Sequence, residues 1–289
     1  MLLHAFAKIN WSLDITGVRG DGYHYMDMVM QPVSLYDEID LRPGRDLSIS
    51  TGGRPRCRAD ESNLAWRAAD LLRTETGYSG GASIHVHKSI PIGAGMGGGS
   101  ADAAAVLFGL NRLWNTGLSP DDLEKLGLQL GADVPFALRG GLARTRGIGE
   151  DLQNHPSLYH YWLVLWQPCA GLSTGRVFSL WEDSPSLPRP DIDQTLTALG
   201  RGDFPALCAS LGNVLQPVSS SLCPEIGLAC SRLTSLGASA ALMTGSGSAV
   251  FGVFRGEAAA GKAYESLRKN GNPVFLAHTQ DDSIRVIGE

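Results

Sequence analysis

No apolar run in the sequence is long enough to cross a membrane, because the longest strongly apolar runs, such as residues 161–166, are far short of the ~20 residues required. Lys8 interrupts the alternating N-terminal stretch, which does not resemble a signal peptide. The chain also lacks a basic excess, with 24 basic and 29 acidic residues, and no segment interleaves basic with aromatic side chains. We therefore expect a cytoplasmic protein with neither a membrane nor a nucleic-acid partner.

Cysteine is scarce and poorly spaced for a metal site. The five cysteines are odd in number, and none are spaced as C-x-x-C. This pattern predicts free thiols in a reducing compartment and no zinc framework. By contrast, 43% of the residues are hydrophobic and 18% are charged, as in folded proteins. A chain of 289 residues can form one large domain or two of ordinary size.

The hydrophobic pattern changes between periods typical of strands and of helices, which predicts an α+β protein. Strands are expected at residues 3–15, 28–42, 84–87, 161–166 and 249–254. Helices are expected to begin at caps Ser62, Ser100 and Ser119, and to occupy residues 192–211 and 224–236. A boundary near residues 150–160 would give two domains, 1–155 and 156–289, with a proline-rich connector at 184–191.

The most informative segment is P-I-G-A-G-M-G-G-G-S-A-D, residues 91–102, between a predicted strand and a predicted helix. Its glycines allow successive N–H groups to point at one anion, and the helix N-terminus adds its dipole. We interpret it as a phosphate-binding loop, with a ligand-free turn as the alternative. The loop is not a dinucleotide-binding motif, which would lie in an early β-α-β unit, nor a Walker A loop, which would continue as G-K-[ST]. The loop comprises Gly93, Gly95, Gly97, Gly98, Gly99 and Ser100, whose hydroxyl could cap the helix or bind Mg²⁺.

Lys8 and Asp133 are the candidate catalytic residues. Lys8 lies in an apolar strand, where a lysine without a function is uncommon. Asp133 lies between small and apolar residues, and a helix cap or a turn is the alternative role for it. Phosphoryl transfer needs one group that takes the proton of the attacking hydroxyl and another that stabilises charge on the transferred group. The sequence does not show that the two side chains meet.

Two further loops are weaker candidates. Thr244-Gly245-Ser246-Gly247-Ser248 is a second glycine loop, for which a plain β-turn is the alternative. Tyr23 and His24, in a glycine-rich turn, offer a stacking surface and hydrogen bonds for a flat heterocycle, although such residues also occur in ordinary loops.

The ordered set of motifs resembles the GHMP kinase superfamily: A-K-I-N in the first strand, P-x-G-x-G-x-G-G-G-S in the middle and T-G-S-G-S near the C-terminus. Within it, D-G-Y-H-Y and L-G-A-D-V-P-F are similar to the branch that phosphorylates the 2-hydroxyl of CDP-linked methylerythritol in non-mevalonate isoprenoid synthesis. The resemblance extends from about residue 5 to 254 and implies two α+β domains. The first would be ribosomal-protein-like and the second ferredoxin-like.

The resemblance also implies roles for individual residues. Asp133 would be the base and Lys8 would polarise the hydroxyl. ATP and Mg²⁺ would be the cofactors, and CDP-methylerythritol would be the small-molecule partner. The nucleotide would contact the glycine loop with Asn63 and Lys88, and the substrate would contact Asn10, Tyr23, His24, Thr174, Gly245 and Ser246. The motifs define no oligomeric state.

Two alternatives stay open at this stage. One is another GHMP kinase, for homoserine or a mevalonate-type alcohol, which would need no cytosine pocket. The other is a non-catalytic sensor that binds a nucleotide and a small molecule. The presence of both Lys8 and Asp133 argues against the sensor.

Overall fold

The computed structural model describes residues 1–181 and 188–288, so residues 184–187 of the predicted connector lie outside the described residues. The strands of the described residues are β1 (Leu2–Val18), β2 (His24–Gly44), β3 (Ser48–Gly53), β4 (Gly81–Lys88), β5 (Leu142–Gly147), β6 (Asp151–His155), β7 (Trp162–Trp166), β8 (Gly212–Asn213), β9 (Ala240–Met243), β10 (Val250–Phe254), β11 (Val274–His278) and β12 (Ile284–Gly288).

Runs of helices lie between runs of these strands, and the sheets are largely antiparallel, which confirms the α+β class. They are α1 (Leu64–Thr76), α2 (Gly98–Leu113), α3 (Pro120–Leu130), α4 (Val134–Arg139), α5 (Thr174–Leu180), α6 (Ile192–Arg201), α7 (Phe204–Ser210), α8 (Gln216–Leu222), α9 (Glu225–Ser235), α10 (Glu257–Leu267) and a 3₁₀ turn, Arg268–Asn270. No helix in residues 1–181 or 188–288 is long and apolar enough to cross a membrane.

The first sheet is built on two long antiparallel strands, β1 and β2. Its order is β12-β1-β2-β4-β3, while β5 pairs with β2 further along and carries β6. Shifts of register between Phe6 and Lys8 and between Asn10 and Ser12 mark bulges in β1. A bulge bends a strand and redirects its side chains. The two bulges therefore flank the segment that carries Lys8 and Asn10.

Helices α1 and α2 pack on one face of this sheet, α3 packs against both helices, and their buried residues form the first core. Every residue of α2 from Ala101 to Leu107 is buried. Alanine at four of these positions lets the helix approach its neighbours closely, because a methyl group needs little space. The N-terminus of α2 is fixed against the sheet in this way.

The second sheet is antiparallel, in the order β11-β7-β10-β9. Apolar residues of β7 and β10 pack against α9 and α10, and buried residues of β1 and β2 extend the same core. Two strands from beyond residue 155, β8 and β12, also pair with β1 of the first sheet. The boundary at residue 155 stays a prediction.

The helix caps differ from the prediction at two of three places. Ser119 caps α3 through a reciprocal capping box with Asp122, as predicted. The cap of α1 is Asn63 rather than Ser62, because the hydroxyl of Ser62 bonds to Asp60 instead. Helix α2 begins at Gly98 after Gly97, so Ser100 lies inside its first turn and does not cap it.

Two further expectations are corrected. The segment 192–211 is not one helix, since Gly202 ends α6 and Asp203 caps α7. The prediction of free thiols is wrong for Cys169 and Cys223, which form a disulfide across 54 residues of sequence. Cysteine spacing could not reveal this pair, because the tertiary fold brings it together. Cys57, Cys208 and Cys230 are free.

Candidate active site

One cavity of about 650 Å³ contains most of the predicted site residues. Its walls come from β1, the glycine loop before α2, the residue before α4 and the loop after β9. The lining includes Lys8, Asn10, Asn63, Lys88, residues 93–100, Asp133, Thr174, Gly245 and Ser246. Residues far apart in sequence therefore share one site.

Lys8 and Asp133 meet in this cavity. The Nζ atom of Lys8 lies 3.5 Å from Oδ2 of Asp133, and the Lys8 side chain is 9% exposed against 31% for Asp133. Asp133 precedes α4, but its carboxylate makes no capping hydrogen bond, so the alternative of a helix cap is excluded. The carboxylate is left free to face Lys8 and the cavity.

Lys8 is held in place from its own strand. Its Nζ donates a hydrogen bond to Oδ1 of Asn10 at 2.7 Å. The backbone N–H of Asn10 donates to Oγ1 of Thr244 at 3.0 Å, so the loop after β9 steadies the same segment. Asn10 is almost fully buried and serves as the orienting contact of Lys8.

The glycine loop is shaped by close contacts that a larger residue would prevent. Gly97 has φ +69°, and a Cβ there would lie 3.1 Å from Cγ of Lys8. At Gly95, a Cβ would lie 2.1 Å from the carbonyl oxygen of Thr244, so the two glycine loops pack backbone against backbone. These positions require glycine for both conformation and space.

The start of α2 presents unpaired donors to the cavity. Ala101 is the first residue whose N–H bonds back, to the carbonyl of Gly97 at 2.9 Å. The N–H groups of Gly98, Gly99 and Ser100 therefore have no intrahelical partner, as at every helix start. Together with the helix dipole they form a site suited to phosphate oxygens.

Lys88 is bound in a buried triad rather than free in the cavity. Its Nζ contacts Oδ2 of Asp37 at 2.5 Å and Oδ2 of Asp102 at 2.7 Å. Burial raises the pKa of Asp102 to about 7, although Lys88 acts in the opposite direction. Burial acts to lower the pKa of Lys88, but the negative charges of Asp102 and Asp37 outweigh this effect, so the pKa of Lys88 is raised. Oδ1 of Asp102 is buried and has no hydrogen-bond partner among the described residues.

Asn63 is also occupied by structural contacts. Its Oδ1 accepts from the N–H of Ala65 at 2.9 Å to cap α1, and its Nδ2 donates to the carbonyl of Arg58 at 2.7 Å. It therefore links the helix to the preceding segment while lining the cavity.

A second cavity, of about 680 Å³, adjoins the first and shares Met26, Ala132, Thr174 and Phe178 with it. It contains the other predicted pair, Tyr23 and His24. The rings of His24 and Phe178 have centroids 5.2 Å apart, and Tyr23 is 64% exposed. An aromatic-lined space thus opens beside the Lys8 and Asp133 pair.

The loop after β9 lines the first cavity and contacts Thr174, which lines both cavities. Oγ of Ser246 and Oγ1 of Thr174 share a hydrogen bond of 3.0 Å. Nδ2 of Asn213 donates to the carbonyl of Gly245 at 2.8 Å and holds the loop from behind.

Sequence reasoning missed several residues of the site. Phe178 carried no motif, although its i, i+4 spacing from Thr174 would have placed both on one face of a predicted helix. Asp37, Asp102 and Asn213 have contacts that only the tertiary structure reveals. Arg56 and Arg58 also line the first cavity and belong to no motif.

This fold and this site match two family models. The N-terminal domain of the GHMP kinases matches residues 63–141, and their C-terminal domain matches residues 195–273. These matches, on a chain whose cavity holds a glycine loop and the Lys8–Asp133 pair, define a small-molecule kinase of the GHMP class.

Two similar proteins identify the branch of the GHMP kinases. A 4-diphosphocytidyl-2-C-methyl-D-erythritol kinase from Bacillus pumilus is 39% identical, over 100% of this chain and 98% of its own. A crystal structure of 4-(cytidine 5'-diphospho)-2C-methyl-D-erythritol kinase superposes with TM-score 0.82 at 35% identity, covering 96% of this chain and 99% of the other. The chain belongs to the 4-diphosphocytidyl-2-C-methyl-D-erythritol kinase family.

A more distant structure shows how widely the fold is shared. The homoserine kinase of Cytophaga hutchinsonii superposes with TM-score 0.79 at 19% identity, covering 99% of this chain and 97% of its own. At that identity the likeness concerns the fold alone, so it does not favour homoserine as the substrate.

Proposed function

We propose that this chain transfers the γ-phosphate of ATP to the 2-hydroxyl of 4-diphosphocytidyl-2-C-methyl-D-erythritol, a step of non-mevalonate isoprenoid precursor synthesis. The observation that carries the proposal is the Lys8–Asp133 pair, which lies between a phosphate-binding helix start and an aromatic-lined cavity. The first would bind ATP, and the second would bind the cytosine end of the substrate.

In the proposed reaction, Oδ2 of Asp133 accepts the proton of the attacking hydroxyl as its oxygen bonds to the γ-phosphorus. The bond between the γ-phosphorus and the bridging oxygen breaks, and ADP leaves with that electron pair. The ammonium of Lys8 stabilises the negative charge near the hydroxyl oxygen, and Asn10 keeps it aimed there. The N–H groups of Gly98, Gly99 and Ser100 hold phosphate oxygens in line.

The residues present fit a magnesium ion. Mg²⁺ binds oxygen donors and is commonly held by few protein groups together with substrate phosphates. Ser100 offers a hydroxyl in the first turn of α2, and Oδ1 of Asp102 is a buried carboxylate oxygen without a hydrogen-bond partner in the described part of the chain. Bound there, the ion would neutralise charge on the phosphates.

The remaining substrate contacts follow from the second cavity. His24 and Phe178 would enclose the cytosine, with Tyr23 able to close over it, because flat rings stack on aromatic faces. Thr174 and Ser246 lie where the two cavities join and would contact the diphosphate or the polyol. We retain the division into domains 1–155 and 156–289 as part of this proposal.

The test is ADP release with ATP, Mg²⁺ and each of three alcohols: 4-diphosphocytidyl-2-C-methyl-D-erythritol, homoserine and mevalonate. Turnover with the first alone is expected. Turnover with another alcohol would keep a kinase and reject the cytosine pocket, while ATP binding without any turnover would indicate a sensor. His24→Ala should raise the KM for the cytidine substrate far more than the KM for ATP.

A further inference from the structure

The cavity that is to hold ATP has little free positive charge from its two lysines. Lys8 is paired with Asp133, and Lys88 is paired with both Asp37 and Asp102. A triphosphate and a diphosphate must nevertheless be bound in the same place. A source of positive charge other than the lysines is therefore required if the electrostatic field of the cavity is to favour these anions.

Arg56 and Arg58 are the other cations in the lining of this cavity, among the residues that the structure describes. Both are exposed, and neither forms an ion pair within the described ranges. Arg58 makes one long contact, from NH1 to Oγ of Ser62 at 3.5 Å, and Asp60, the nearby acid, is itself bonded to Ser62. Their charges are consequently available to a ligand.

The segment that carries these arginines is anchored at several points. The N–H of Arg54 donates to the carbonyl of Lys88 at 2.9 Å, and Oγ1 of Thr51 donates to the carbonyl of Cys57 at 3.2 Å. The amide of Asn63, which caps α1, holds the carbonyl of Arg58. The backbone is therefore fixed, while the arginine side chains extend from it into solvent and the cavity mouth.

The segment ends next to the phosphate loop. Leu64, the first residue of α1, lies so close to the first turn of α2 that a Cβ on Gly99 would be 3.3 Å from its Cδ1. Arginine side chains here are within the same cavity as the N–H groups of Gly98, Gly99 and Ser100. Guanidinium groups bind phosphate oxygens through two parallel hydrogen bonds, which suits a role beside such donors.

We propose that Arg56 and Arg58 bind the phosphate chain of ATP and supply the positive charge that the paired lysines cannot. The proposal rests on the proposed function in one respect, that the cavity is a nucleotide site. It assigns to Asn63 the role of a positioning residue, which holds the arginine segment and the start of α1 together.

The experiment measures binding of ATP, ADP and adenosine to the full chain by calorimetry, with Mg²⁺ and without any alcohol. The variants are Arg56→Gln and Arg58→Gln, and the matched control is Arg54→Gln, an exposed arginine of the same segment that does not line the cavity. Each test variant should weaken ATP binding by roughly tenfold, as expected for one charge-assisted contact. The loss should shrink for ADP and vanish for adenosine, and the control should bind all three like the parent chain.

A second measurement separates local contacts from general charge. The affinity for ATP should fall less steeply with salt in Arg56→Gln and Arg58→Gln than in the parent chain, because fewer ion pairs are screened. In turnover assays the KM for ATP should rise roughly tenfold, with kcat nearly unchanged at saturating ATP.

Several outcomes would overturn the proposal. Unchanged ATP affinity in both variants, an equal loss in Arg54→Gln, or an equal loss for adenosine would each reject phosphate binding by these residues. Binding is measured without alcohol, so failure to phosphorylate the cytidine substrate would reject the proposed function alone. A parent chain that binds no ATP would reject both.

Discussion

Two lysines lie in the same cavity, and they are held in opposite ways. Lys8 is 3.5 Å from one partly exposed carboxylate, whereas Lys88 is within 2.7 Å of two carboxylates that are almost completely buried. A loosely paired lysine can exchange its partner for a developing charge on the substrate. A lysine that neutralises two buried carboxylates cannot move away, because their negative charges would then be unpaired. This difference supports the proposed role of Lys8 in the chemistry and favours a structural role for Lys88.

The largest expected effect comes from Asp133, the partner of Lys8. Asp133→Asn should lower kcat by at least ~10²-fold while substrate binding is largely kept, because general-base help is typically worth that much. Steady-state kinetics with both substrates would measure it. Equal kcat in the variant and the parent chain would remove Asp133 from the role of base.

Removing the buried lysine should instead damage the fold. Lys88→Met should lower the free energy of unfolding by about 3–5 kcal/mol, because Asp37 and Asp102 would be left as uncompensated buried charges. Urea denaturation would measure the change, with Lys8→Met as the matched control. We expect a clearly smaller loss of stability in the control, and equal losses would break the distinction between the two lysines.

A smaller effect is expected from the residue that aims Lys8. Asn10→Ala removes the acceptor of the Lys8 hydrogen bond and should lower kcat by roughly tenfold, as expected for one lost contact to a charged group. The KM for ATP should change little, and this split between kcat and KM distinguishes orientation from nucleotide binding. Thermal denaturation serves as the control, since a large drop in Tm would attribute the loss to folding.

The smallest effect concerns pH. The pKa of Asp102 is about 7 in the folded chain, above its ordinary value, so the folded state binds more protons than the unfolded state between those values. The contribution of Asp102 to stability is therefore present at low pH and is lost as the pH rises towards 7. Urea midpoints between pH 5 and 8 should fall less with pH in Asp102→Asn than in the parent chain. Asp46→Asn, at an exposed carboxylate, should leave the profile unchanged, and identical profiles for all three would contradict the assignment.

The sequence identified most of the residues that line the first cavity, but it did not reveal the contacts that support them. A glycine loop followed by a helix is a local pattern, so residues 91–102 alone predict the loop that precedes α2 and lines the first cavity. Lys8 was conspicuous because it interrupts an apolar strand. Asp133 could be proposed from its neighbours. Only the structure shows that its carboxylate, although it directly precedes α4, makes no capping hydrogen bond to that helix.

The remaining features depend on long-range contacts. Asp37 contacts Lys88, which lies 51 residues later in the sequence, and Asn213 contacts Gly245, which lies 32 residues later. Hydrophobic periodicity carries no information over such sequence separations. The choice of Asn63 over Ser62 as a cap was decided by competition, because Asp60 takes the serine hydroxyl. Local sequence rules identify candidate capping residues, but they do not show which of them already has another hydrogen-bond partner.

The pairing of β12 with β1 has a consequence for biosynthesis. Residues 2–5 acquire this partner only from residues 284–288, almost the whole chain later. The ribosome delivers residues 284–288 after every other strand of the first sheet has been synthesised. Until they emerge, this edge of β1 stays solvated or covered by a chaperone, and an isolated N-terminal half would present an open strand to its neighbours.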